Sequence, residues 1–107
     1  MKLTNNHIQR LELIKQGYIS MLIRLKTHKL KSELNAKPFV RVEFFTWYFK
    51  HAIKYELGII IDHLMYATYQ PHRPYTLKSK NATVLETKEV IKNRIRIIDR
   101  WIKYKEI

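Results

Sequence analysis

Five cations, Lys88, Lys92, Arg96, Arg100 and Lys103, recur at spacings of four, four, four and three toward the end of the chain. On a helix turning about 100° per residue they share an arc of about 120°, and Ile91, Ile95, Ile98 and Ile102 share a separate arc of about 60°. One face is expected to pack while the other presents charge to solvent, an arrangement that can meet a row of phosphates. Glu86 and Glu89 fall in the first turn of this helix, where carboxylates complement the dipole. Asp99 offsets charge near the basic arc.

Arg24, Lys26, Lys29 and Lys31, with His28 among them, form a second basic cluster, with Glu33 as its acidic neighbour. Cations at the end of a helix also answer its dipole without any ligand, so this cluster is the weaker candidate for phosphate contact. Arg73, Lys78 and Lys80 lie in an expected loop and extend whichever basic surface is near. Most of the aromatic residues crowded between Phe39 and Phe49 must be core. Tyr48, Tyr55, Tyr66 and Tyr69, near Lys50 and Lys54, are nevertheless candidates for stacking unpaired bases beside positive charge. Trp47, Trp101 and Tyr104 are candidates for a protein interface, above all if they form one exposed patch with Ile107.

Catalytic and metal chemistry find little purchase. His7, His28, His51, His63 and His72 include no pair at the i, i+4 spacing that puts two ligands on one helical face. Asp62 and His63 are adjacent, so on a helix they point about 100° apart and make no acid–base dyad, and Glu56 and His51 add no better geometry. The helical ribonucleases of the HEPN type carry an Arg and a His separated by four to six residues. Arg24 and His28 stand one residue too close for that motif. No glycine-rich loop is present to cradle a phosphate, and the absence of cysteine removes thiolate metal sites, disulfides and thiol nucleophiles. The expectation is a protein that is not an enzyme and uses neither metal nor cofactor.

The elements that must position these residues follow from periodicity. A chain of 107 residues, 46% hydrophobic and 28% charged with two glycines, is expected to fold as a single domain over residues 1–107. Leu11, Ile14, Tyr18, Met21 and Leu25 keep one face of a helix from Thr4 to about Leu34. Thr4, Asn5 or Asn6 would cap it, and Gly17 would weaken it by ~1 kcal/mol or mark a kink. Phe49, Ile53, Leu57, Ile60, Leu64 and Ala67 predict one central, buried helix from about Arg41 to Gln70. The alternation Val40, Val42, Phe44, Thr46, Tyr48 also suits a short strand before that helix. Pro71 and Pro74 end it. Thr83 with Glu86 has capping-box spacing for the last helix, running to about Lys105, and Thr87 with Glu89 offers a second start. Together these predict an all-α bundle of about three long helices around a central hydrophobic one. A winged helix-turn-helix is the alternative, if Tyr75–Lys78 and Ala82–Leu85 pair as a hairpin.

Twenty-one Lys and Arg against nine Asp and Glu leave a net charge of +12 and a pI near 10.0. That is the footprint of a polyanion binder, with nucleic acid as the first expected partner. The sequence lacks a secretory leader and any long apolar run, so a soluble, cytoplasmic protein without a membrane span is expected. In size, basicity and richness in Ile and Lys, with the Arg24–Lys31 and Lys88–Lys103 clusters as its concrete content, the chain resembles small accessory proteins of replication modules in staphylococcal cassette elements. The resemblance implies a non-catalytic subunit that binds a DNA polymerase or primase and helps it engage single-stranded template. It transfers no site residue. The expected function is thus single-stranded DNA binding for a replication enzyme. An adaptor or mobile-element inhibitor acting on an acidic partner, or an RNA- or ribosome-associated protein, would carry the same charge.

Overall fold

A computed structural model describes residues 1–26, 38–52, 55–68 and 84–107, which fold as four helices: α1 Asn5–Lys26, α2 Pro38–His51, α3 Gly58–Thr68 and α4 Val84–Tyr104. The class is all-α, as the periodicity predicts. No helix among the described residues is long and apolar enough to cross a membrane.

Thr4 caps α1. Its hydroxyl accepts from the His7 amide at 3.2 Å while its own amide donates to His7 Nδ1 at 3.2 Å. This is the reciprocal logic of a capping box, with an imidazole in the place usually taken by a carboxylate. Leu11, Ile14, Tyr18 and Leu25 are buried and Met21 half-buried, so the face read from the spacing is the face that packs. The helix runs through Gly17 without a break. That glycine is there for room, because a Cβ on it would collide with the Phe45 ring.

The single central helix expected from Arg41 to Gln70 is instead two. α2 ends at His51, and Glu56 then adopts the left-handed region at φ 52° before α3 begins at Gly58. A residue with a side chain resists that conformation, so the reversal is set by what the two helices gain in packing on each other. Phe49, Leu57, Ile60 and Leu64 are buried as expected, but Ala67 is exposed, and Ile53 lies outside the described residues. The alternating stretch Val40–Tyr48 is helix, not strand: α2 buries Phe39, Val42, Thr46 and Phe49 at spacings of three, four and three.

α4 starts at Val84, so Thr87 is no helix start but a buried residue inside it. Val84 and Leu85, which the winged alternative needs at the end of its hairpin, belong to this helix, and residues 75–83 lie outside the described set. Lys105 closes α4 in the left-handed region at φ 55°, which turns the chain back. Leu3 then donates to the Lys105 carbonyl at 2.8 Å and Ile107 to the Met1 carbonyl at 3.0 Å, around an antiparallel bridge between Lys2 and Glu106. The chain ends are thereby tied together and α1 and α4 run antiparallel along a shared apolar contact.

Candidate nucleic-acid interface

The buried seam of α4 is Thr87, Ile91, Arg94, Ile98 and Trp101, spaced four, three, four and three. The expected stripe of isoleucines is displaced from it by about 50° of helix rotation. Ile91 and Ile98 are buried, whereas Ile95 and Ile102 sit at the edge, half-buried against the core. The consequence for the basic residues is direct. Lys92, Arg96, Arg100 and Lys103 are exposed on the side of α4 diametrically opposite this seam, and Lys88 sits half-buried at its flank.

The two acids near this face are engaged. Asp99 takes the ammonium of Lys15, across from α1, at 2.6 Å, and Glu89 lies 3.8 Å from Lys92. The hydrogen bond to Asp99 holds the Lys15 pKa above its ordinary value. Lys103 stands 5.4 Å from the Tyr104 ring. Among the described residues no ion pair holds Arg96, Arg100 or Lys103.

The other candidates do not join this face. Arg24 is exposed on α1, but it stands nine positions from Lys15, half a turn of the helix away, so it points away from the side that meets Asp99. Lys26 is the last residue of α1. Lys29, Lys31, Arg73, Lys78, Lys80 and Tyr69 lie outside the described residues. Among the stacking candidates, Tyr48 and Tyr66 are exposed. Tyr55 is half-buried against Phe49, and the Arg10 guanidinium covers its ring at 4.9 Å. The proposed interface trio does not assemble either. Trp101 is buried in the α4 seam, Trp47 is exposed on α2, Tyr104 is exposed at the end of α4, and Ile107 packs on the core.

One cluster has no counterpart in the expectations above. Arg94 of α4 is fully buried and pairs with Glu43 of α2, itself 9% exposed at its side chain. The same guanidinium donates through Nε to Thr68 of α3 at 3.1 Å and through Nη1 to Thr46 of α2 at 3.2 Å and Tyr18 of α1 at 3.4 Å. Tyr18 and Thr46 also share a hydroxyl–hydroxyl bond, and Thr46 donates to the Val42 carbonyl at 2.9 Å. All four helices therefore meet at one side chain. Burial opposes charge on Arg94, but Tyr18 and Glu43 outweigh it and hold its pKa above the ordinary value. Burial pushes the Tyr18 phenol up, so it stays neutral. Two signals could have marked the pair: Arg94 occupies a core position of the 4-3-4-3 spacing, and Glu43 is the one acid within the aromatic run from Phe39 to Phe49.

No protein-family model, curated protein or solved structure matches the chain.

Proposed function

We propose that this chain is a non-catalytic nucleic-acid-binding protein that engages phosphates with the outer face of α4. The supporting observation is the placement of Lys92, Arg96, Arg100 and Lys103 opposite the buried seam of their own helix, with Asp99 turned to Lys15. Phosphates laid along that face would release the counterions condensed on the strand, and the binding free energy would be largely that release. Lys92 and Lys103 act as point charges and so favour backbone contact over base-specific readout. Single-stranded DNA is the preferred ligand in this reading, and service to a DNA polymerase or primase is the setting the sequence resemblance implies.

The test is binding to labelled single-stranded DNA, duplex DNA and RNA across a salt series. The Lys92→Gln, Arg96→Gln, Arg100→Gln triple variant should keep its helix content. It should bind more weakly and lower the salt slope by about 2, since each phosphate on a single strand contributes about 0.7. Unchanged affinity and slope in that variant would refute the α4 interface.

A further inference from the structure

α2 has apolar residues on both sides. Opposite its buried face, Val40, Phe44, Trp47 and His51 fall at spacings of four, three and four, within about 60° of arc. Phe44 is 70% exposed and Trp47 51%. Their rings lie 6.3 Å apart, and Trp47 rests on the His51 imidazole at 4.2 Å, so the aromatic side chains form one continuous surface. A contiguous apolar stripe on the outer side of a helix is normally covered by a partner.

α3 continues this surface. Arg94 reaches Thr68 at the end of α3 and Glu43 and Thr46 in the middle of α2, while Lys50 near the end of α2 pairs with Asp62 in the first half of α3 at 2.7 Å. The two helices are therefore antiparallel neighbours with Lys50 and Asp62 on their seam. In an antiparallel pair, rotation from Lys50 to Trp47 on one helix and from Asp62 to Tyr66 on the other leads to the same side. Ile59, 66% exposed, and Tyr66, 81% exposed, are seven residues apart and share that side. It looks away from the outer face of α4, since α2 and α4 turn their buried sides toward a common core.

We infer that this α2–α3 face docks an amphipathic helix of another protein, apolar where it meets Phe44, Trp47 and Ile59 and acidic along its edges. Three observations choose this occupant. A nucleic-acid stacking platform interleaves its rings with cations, whereas Val40 and Ile59 are part of this stripe and Lys50, beside it, is held by Asp62. A second copy of the chain would bring another +12 to a molecule already at +12, and like charges oppose association. Asp62, on this face, is neutralised by Lys50 and so does not repel an acidic visitor, which the net charge of +12 attracts. Apolar anchors at successive turns are how grooves and faces receive a helix.

The probe is a synthetic amphipathic peptide with Leu and Ile on one face and Glu on the other, titrated into the whole protein, with a Lys-for-Glu version as control. The two tryptophan indole signals in an NMR spectrum report separately, because Trp47 is exposed and Trp101 is in the core. The Glu peptide should shift the Trp47 signal and leave that of Trp101 in place. The Phe44→Ser, Ile59→Ser double variant, both surface positions, should weaken binding by about tenfold or more. The Lys92→Gln, Arg96→Gln, Arg100→Gln protein should still bind the peptide, which separates this inference from the α4 interface. It is overturned by an unmoved Trp47 signal, by equal response to the Lys peptide, by a Trp47 shift with oligothymidylate, or by self-association that Phe44→Ser abolishes.

Discussion

Arg94 and Glu43 stand 51 positions apart in the chain and meet inside the bundle, out of reach of water. Their pairing joins α4 to α2, and Nε and the same Nη1 of Arg94 bring in Thr68 and Tyr18 from the other two helices. A buried pair of this kind is expensive to break, because removing one partner strands the charge of the other. Arg94→Met should therefore destabilise the protein by about 3–5 kcal/mol, and Glu43→Gln by a similar amount. Arg94→Met with Glu43→Leu together should cost clearly less than the two single changes added, which urea unfolding of the four proteins would show. Full additivity would mean that the pair does not act as a unit.

Tyr18 gives the fold an alkaline limit. Its phenol has a raised pKa in the folded protein, so the neutral form is the one the structure favours. The unfolded chain releases this proton near the ordinary value of 10.0, before the folded one does. The stability it contributes is thus present below that pH and is lost as pH rises through the folded value. Unfolding midpoints should fall as pH is raised above about 10, and Tyr18→Phe should make that fall shallower.

Gly17 separates propensity from packing. In an exposed helix Gly17→Ala would stabilise by about 1 kcal/mol. Here the added methyl meets the Phe45 ring, which is wedged edge-on between Tyr18 at 5.4 Å and Phe49 at 5.1 Å and has little room to yield. The expected sign is reversed, a loss of about 1–3 kcal/mol. Combining Gly17→Ala with Phe45→Leu should recover part of it in thermal unfolding.

Asp99 tempers the basic face of α4 and belongs to a surface pair. Asp99→Asn should change stability by less than about 1 kcal/mol, as exposed ion pairs do. It should also raise affinity for single-stranded DNA at low salt, because both Lys15 and the α4 stripe lose a competing carboxylate. Unaltered affinity alongside a steep wild-type salt slope would place the bound strand away from Asp99.

The all-α class, the packed face of α1 and the outward charge of α4 were legible in the sequence, because each rests on helical periodicity within one segment. Leu11, Ile14 and Tyr18 announce their face by spacing alone, and Lys92, Arg96 and Arg100 do the same for theirs. Three matters were decided only by tertiary structure. The break at Glu56 opposes local preference, and it exists because two short helices folded back on each other bury what one long helix would expose. The rotation of α4 that places Arg94 and Thr87 inside and Ile95 at the edge depends on partners waiting in α1, α2 and α3. Hydrophobicity ranks an arginine as surface until Glu43, Thr46, Tyr18 and Thr68 arrive to take its Nε and Nη1 donors, with Nη2 left buried and without a hydrogen-bond partner among the described residues. Trp47 and Trp101 are chemically the same residue, and only the assembled helices put one in solvent and the other in the core. Periodicity states which residues share a face; which face is covered is a property of what the other helices bring to it.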